Sequence, residues 1–297
     1  MLAVVAPGQG SQAPGLLNAW LELPGVRESV GAAGDAVGLD LLRLGTTAGE
    51  DELTPTEITQ PLVVATALAV ARAAGLHPDV VAGHSVGEWA ATALAGVIDD
   101  ATAVRLVGTR GRAMAVAAAL TPTGMSAVVG GDADEVAAAV ASLGLAIANV
   151  NASGQVVAAG PVEALAALAA APPAKARVLP LRVAGAFHTH HMETAVADVA
   201  AAVNAVTAAD PQIALLSNAD GAVVTSGAEA LRRLVRQVAA PVRWDRCSDT
   251  LARLGVTHLV ELAPAGTLAG LAKRALPGVQ VVALKTPADL DVLASAG

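Results

Sequence analysis

The sequence predicts an α/β protein whose main unit is interrupted by a small α+β insertion. The apolar run Val80-Val81-Ala82-Gly83 leads into Gly83-His84-Ser85-Val86-Gly87, and Glu88 to Ala95 then reads as a helix. Strand, sharp turn and helix in that order form a building unit of an α/β fold. Between residues 120 and 186 the rhythm changes to strand, helix, strand, strand, helix, strand, which is the ferredoxin-like order. The expected boundaries are therefore 1–119 and 187–297 for the main unit and 120–186 for the insertion.

The chain has 297 residues, enough for a sizeable core. Hydrophobic residues make up 54% and aromatic ones only 1%, so that core must be built from Ala, Val and Leu. Few aromatic rings and a net charge of −8 argue against nucleic acid as a partner, which calls for basic patches and stacking rings. No apolar run reaches the length of a membrane span without a charge, Gly or Pro. The N-terminus lacks a charged leader and enters a strand at once, so no signal peptide is expected. The lone Cys247 forbids an internal disulfide and suits a reducing cytoplasm, and the chain is expected to act as a monomer.

Taken in order, Leu2–Ala6 is a short buried strand that breaks at Pro7-Gly8-Gln9-Gly10-Ser11-Gln12, a loop without the Lys-Ser/Thr of a Walker motif. Short helices and loops fill 26–57. Thr59 is expected to cap a helix with Pro61 in its first turn, running to about Ala74 and apolar on most faces. After the elbow helix, Asp99 or Asp100 caps a second helix that runs through Arg110 and Met114 to about Ala119. In the insertion, Ser126–Gly130, Ala146–Val150, Gln155–Ala159 and Arg177–Leu181 are strands, and Ala133–Ser142 and Val162–Ala170 are helices. The main unit resumes at Gly185 to Glu193 with a helix to about Val206. Strands follow at Ile213–Leu216, Thr257–Leu262 and Val279–Leu284, and helices at Ala228–Val238, Asp245–Leu254 and Leu268–Leu276. The tail after Pro287 is expected to be only partly ordered.

Gly-x-Ser-x-Gly is a weak signal alone in a chain with 29 glycines. With a strand before it and a helix after it, the pattern becomes specific. The turn needs small residues on both sides of Ser85, it lifts the hydroxyl clear of the sheet, and the helix that follows aims its free N–H groups at the same place. Such groups favour the negative charge of an acyl-transfer oxyanion.

Six stretches occur together in one order: Pro7-Gly8-Gln9-Gly10-Ser11-Gln12, Gly83-His84-Ser85-Val86-Gly87-Glu88, Arg110-Gly111-Arg112-Ala113-Met114, Asn149-Val150-Asn151 before Gln155, Phe187-His188, and Pro241-Val242-Arg243-Trp244. Over nearly its whole length the chain resembles the malonyl-CoA:acyl carrier protein transacylases of bacterial fatty acid synthesis. Lys273 to Gly278 and Lys285-Thr286-Pro287 look most like actinobacterial members. The resemblance implies a hydrolase-like core with a parallel sheet around the ferredoxin-like insertion. It also implies malonyl transfer from malonyl-CoA to the phosphopantetheine thiol of an acyl carrier protein. The expected route is ping-pong through a malonyl-Ser85 ester, with no resident cofactor.

The resemblance also assigns roles. Ser85 is the nucleophile and His188 its base, since a serine hydroxyl is a poor nucleophile unaided. The main-chain N–H groups of Gln9 and Val86 form the oxyanion hole, and Val86 fits independently as the residue after an elbow serine. Arg110, 25 residues after Ser85, reads the malonyl carboxylate through two parallel hydrogen bonds. Arg112 faces another side of the helix. Phe187 and Asn151 contact substrate, and an Ala-Phe-His step accompanies malonyl use in related domains. The main-chain carbonyl that orients the imidazole is expected at Arg243, where many relatives carry Gln. No aspartate is evident as a third triad member.

A hydrolase sharing the elbow is the competing reading. It calls for a late histidine, and His258 opens a strand instead. A non-catalytic carrier-docking module has no need of Ser85 with His188. His188, His190 and His191 match no common zinc set, so no metal is expected. His84 is expected to pack beside the elbow, and Cys247 to pack as a small hydrophobe. Residues 225–285 hold nine Lys/Arg against four Asp/Glu, a net of +5. Arg232, Arg233, Arg236, Lys273 and Arg274 are the expected docking points for an acidic carrier.

Overall fold

The computed structural model describes residues 1–294. A six-stranded sheet lies at its centre, in the order β11-β10-β1-β2-β7-β8. Its strands are β1 (Leu2–Ala6), β2 (Val80–Gly83), β7 (Ala214–Leu216), β8 (Val223–Val224), β10 (His258–Glu261) and β11 (Gln280–Ala283). All neighbours pair in parallel except β7 and β8. The two innermost strands, β1 and β2, are short and almost wholly apolar because both faces are covered. Alternation divides their side chains between two cores. Val4, Ala6 and Val81 belong to the larger one. Ala3, Val5, Val80 and Ala82 belong to another that includes Trp244, Cys247, Leu268 and Leu271.

Helices α1 (Val26–Val37), α2 (Leu41–Thr47) and α3 (Glu50–Leu53) precede α4 (Thr56–Ala73). The elbow helix is α5 (Gly87–Leu94), and α6 (Asp100–Ala119) follows. Helix α4 is buried on nearly every side from Thr59 to Ala71, which explains its lack of an amphipathic pattern. It starts three residues before the expected cap. Pro55 sets the extended entry, and Thr59 lies inside the helix with its hydroxyl donating to Leu53 O. Asp99 is the cap of α6, accepting from Thr102 N at 2.6 Å. Helices α4 and α6 come close at Gly111, where a Cβ would sit 3.1 Å from Thr56 O.

A second, five-stranded sheet has the order β6-β3-β5-β4-β9. Here the chain runs through β3 (Thr123–Gly130), α7 (Ala133–Ser142), β4 (Ala146–Ala152), β5 (Gln155–Pro161), α8 (Val162–Ala170) and β6 (Ala176–Pro180). One face of this sheet packs on its own helices through Val128, Val136, Val140, Ala158 and Leu168. Met125, Ala148, Val157 and Ala159 instead join the large core. The fifth strand, β9 (Val242–Arg243), comes from much later in the chain and pairs in parallel with Asn149 and Val150.

The rest comprises α9 (Glu193–Asn204), α10 (Gly227–Gln237), α11 (Trp244–Arg253), α12 (Thr267–Ala275) and α13 (Asp289–Ala294). Helix α13 occupies most of the tail expected to be partly ordered. The Asp289 carboxylate accepts from Lys285 N and Thr286 N at 2.9 and 2.7 Å. Residues 295–297 of that tail lie outside the described residues. Among the described residues no helix is long and apolar enough to cross a membrane.

Candidate active site

Strand β2 ends at Gly83 and α5 begins at Gly87, so the chain must reverse within three residues. A Cβ on Gly83 would lie 2.1 Å from Gly87 O, and one on Gly87 would lie 2.3 Å from Ala6 O. Glycine is therefore required at both places. Ser85 between them takes φ +52°, a left-handed conformation that non-glycine residues adopt at a cost. Hydrogen bonds from distant elements hold it there. Ser85 N donates to Asn218 Oδ1 at 2.8 Å, Asn218 Nδ2 donates to Gly83 O at 2.8 Å, and Gln237 Nε2 donates to Ser85 O at 3.1 Å.

The Ser85 hydroxyl lies 2.7 Å from His188 Nε2. His188 is also left-handed, at φ +62°, and is buried. Its Nδ1 faces Gln237 O at 2.7 Å. A carbonyl oxygen only accepts, so Nδ1 carries the proton and Nε2 is left to receive the serine proton. Burial, and then the Arg110 charge, push the imidazole down to about 3, so it is neutral at neutral pH.

The resemblance had implied that Arg243 supplies the orienting carbonyl; in the structure it is Gln237 that does so. Arg243 is committed elsewhere. It lies in β9, its N–H donates to Asn218 O at 2.7 Å, and its guanidinium grips the Asp245 carboxylate at 2.9 and 2.6 Å. Gln237 is the last residue of α10, where carbonyls run out of intrahelical partners, and besides the imidazole its oxygen takes only a long contact from Ala240 N at 3.4 Å among the described residues.

Arg110 is fully buried on α6. Its Nη1 donates to Gln60 Oε1 at 2.7 Å, and its Nη2 faces Gln237 Oε1 at 3.0 Å and Ser85 Oγ at 3.4 Å. Among the described residues its Nε has no hydrogen-bond partner. Burial lowers its pKa to about 9, which still leaves it charged at neutral pH. Among the described residues no carboxylate forms an ion pair with it. The site thus holds a buried cation beside the serine with no direct counter-charge, and an incoming carboxylate would supply one. Arg112 is exposed, on another side of the helix.

The serine opens into a cavity of about 400 Å³ walled on one side by the second sheet. Gln9, Gln60, Met114, Asn149, Asn151, Gln155, Phe187 and His188 line it. The loop carrying Gln9 presses on the elbow, since a Cβ at Gly8 would lie 2.7 Å from His84 O. Neither Gln9 N nor Val86 N donates a hydrogen bond within the described residues. Asn151 Oδ1 lies 2.9 Å from His84 Nε2, and His84 packs 5.8 Å from the Trp244 ring, beside the elbow. Among the described residues no cluster of three His, Cys, Asp or Glu could hold a metal ion.

Residues 4–288 match the acyl transferase domain family. The malonyl CoA-acyl carrier protein transacylase of Mycobacterium tuberculosis (strain H37Rv) is 54% identical over 99% of this chain and 100% of its own. That of Escherichia coli (strain K12) is 37% identical over 97% of each chain. The chain belongs to the malonyl CoA-acyl carrier protein transacylase family. A crystal structure of the Mycobacterium tuberculosis family member superposes with a TM-score of 0.95, at 54% identity over 99% of each chain. Another family structure, a malonyl-transacylase in complex with its type II PKS acyl-carrier protein, superposes at 0.92 with 33% identity, over 100% of this chain and 99% of that one. The chain is accordingly an acyltransferase.

For this transacylase the sequence missed four residues that surround Ser85: Gln60, Glu88, Asn218 and Gln237. Each acts through contacts across 50 to 152 positions of chain, which leave no local pattern. The basic segment also differs from expectation. Arg233 is largely covered, pairing with Asp220 at 2.6 Å and Glu229 at 2.7 Å, and Arg232 and Arg236 share Glu229. Lys273 and Arg274 remain exposed, and Arg274 Nη2 donates to Gln155 Oε1 at the cavity rim.

Proposed function

We propose that the protein moves the malonyl group of malonyl-CoA to the phosphopantetheine thiol of an acyl carrier protein through an ester on Ser85. The observation that carries this is Ser85 Oγ standing between a neutral base, His188 Nε2, and the buried Arg110 guanidinium, which no carboxylate contacts among the described residues. In the first half-reaction Ser85 Oγ gives its proton to Nε2 and attacks the thioester carbonyl. The C–S bond then breaks, and CoA leaves as a thiol with the proton from Nε2. In the second half-reaction the carrier thiol gives its proton to Nε2 and attacks the ester. Ser85 departs and recovers that proton. The free N–H groups of Gln9 and Val86 suit the oxyanion formed at each stage. Arg110 takes the free carboxylate of the malonyl group, and Phe187 and Asn151 line its path.

This chemistry calls for no metal or resident cofactor, because base, nucleophile and oxyanion donors are all side chains or main chain. Supply of malonyl units to fatty acid synthesis, in the cytoplasm, agrees with the unpaired, buried Cys247. We also read the fold as a hydrolase-like core, 1–119 and 187–297, with a ferredoxin-like insertion over 120–186. The β6-β3-β5-β4 order and the separate apolar seam of that insertion support the reading.

Mass spectrometry after mixing with malonyl-CoA tests the proposal. A malonyl adduct on Ser85 that discharges onto a holo carrier protein is expected. Free malonate without discharge to the carrier would instead make the protein a hydrolase, and no adduct at all would leave it a docking module.

A further inference from the structure

We propose that Glu88 is a positioning residue that fixes the polarity of the Gln237 side-chain amide, and through it the malonyl-reading geometry of Arg110. The inference rests on the role given to Arg110 above.

Glu88 lies in the first turn of α5, three residues after the serine, and is buried. A carboxylate in the first turn of a helix usually answers the helix's own N–H groups or its dipole. Among the described residues the Glu88 carboxylate accepts no hydrogen bond from the N–H groups of its own helix. Its Oε2 accepts from Asn218 N at 3.1 Å and from Gln237 Nε2 at 2.7 Å, on two distant segments. Burying an ionisable group is costly, so its partners matter. Burial raises the acid to about 7 in spite of these hydrogen bonds.

Gln237 Nε2 faces three acceptors: Glu88 Oε2 at 2.7 Å, Ser85 O at 3.1 Å and Asn218 Oδ1 at 3.2 Å. Its Oε1 faces one donor, Arg110 Nη2, at 3.0 Å. Turning the amide over would set NH₂ against the guanidinium and oxygen against all three acceptors. The shortest of those contacts, and the only one to an ionisable group, is Glu88. Arg110 and Glu88 form no ion pair, and one amide joins them. The same residue holds His188 Nδ1 with its main-chain oxygen. Glu88 therefore steadies, through Gln237, both the specificity arginine and the base.

The test compares Glu88→Ala, Glu88→Leu and Glu88→Gln in the full-length protein. The readouts are single-turnover loading of Ser85 by malonyl-CoA and by acetyl-CoA, and the melting temperature. Glu88→Ala should lower malonyl loading about 10- to 100-fold, the range expected when hydrogen bonds to a charged group are lost. Acetyl loading should fall several-fold less, since acetyl asks nothing of Arg110. Glu88→Gln should rescue most of the loss, because its carbonyl can stand at the Oε2 position. Gln237→Leu keeps the main-chain oxygen and removes the amide. It should copy the selectivity change of Glu88→Ala, and the double variant should be no worse than Gln237→Leu alone.

Equal loss of malonyl and acetyl loading, or additive losses in the double variant, would overturn the proposal. So would a Glu88→Gln variant as poor as Glu88→Ala, since charge would then matter more than amide polarity. Should Glu88→Ala fail to fold, Glu88→Leu and the Gln237 comparison decide. A wild-type malonyl preference in Arg110→Ala would instead refute the role of Arg110, independently of these results.

Discussion

Arg110 Nη2 lies 3.4 Å from Ser85 Oγ, so the guanidinium and the nucleophile address the same small volume. On the proposed role of Arg110, a group held there would touch both at once, and selection among acyl groups would be made at the reacting centre.

Arg110→Ala should therefore change selectivity. The malonyl carboxylate would enter a buried site with no partner, a loss of about 3–5 kcal/mol for a broken buried pair. Malonyl transfer should fall by roughly two to three orders of magnitude at 1.36 kcal/mol per tenfold. Acetyl transfer should hold or rise, because acetyl-CoA no longer meets an unpaired cation. The measurement is kcat/KM for both substrates on both proteins. Equal losses would make Arg110 structural.

The depressed His188 pKa fixes the pH behaviour. With the imidazole at about 3, malonyl loading should show no histidine-type acid limb between pH 8 and pH 5.5. The unfolded chain takes a proton at this residue near 6.5, and the folded chain only near 3. Stability is therefore complete above the unfolded value and is lost as pH falls through that window, by about 2 kcal/mol at pH 5. Melting curves of the parent and of His188→Gln should diverge on acidification, with the parent losing more. A loading rate that falls with an apparent pKa near 6.5, and still does so in Glu88→Gln, would show that the imidazole is solvated in the working enzyme.

Arg243→Gln should leave transfer within about threefold of the parent. Its guanidinium hydrogen-bonds to Asp245, a partly exposed pair of the kind worth about 1 kcal/mol or less. A collapse of turnover in a folded variant would contradict this.

Carrier approach should depend on α12 more than on α10. Lys273→Glu with Arg274→Glu should raise the carrier KM and flatten its salt dependence while sparing malonyl-CoA loading. Arg232→Glu with Arg233→Glu should do less, since Glu229 and Asp220 already answer those charges. The reverse ranking at low salt would move the docking surface to α10.

The legibility of the sequence follows the range of the forces involved. The elbow could be read because its demand for Gly83 and Gly87 is local. Helices Ala133–Ser142 and Val162–Ala170 could be read to the residue because their start signals, the Asp132 cap and Pro161, are local too. Thr59 misled because a threonine two residues before a proline resembles a helix start, whereas Pro55 had already begun the helix. His188 was identified only by resemblance. Strands β8 and β9, two residues each, are too short to alternate. Gln237 was invisible because its contacts with Arg110, Ser85 and His188 exist only after folding. The expectation at Arg243 came from the resemblance, and nothing in the residues could correct it, since a main-chain carbonyl leaves no trace in residue identity.

Strand β9 has a consequence for building chimaeras between relatives. The segment 120–186 does not carry its whole sheet, because Val242 and Arg243 supply the outer strand beside Asn149 and Val150. Transplanted alone, it would present an unpaired β4 edge to solvent, the kind of edge that recruits other chains. A workable module exchange must therefore be discontinuous, moving Pro241 to Trp244 together with residues 120–186.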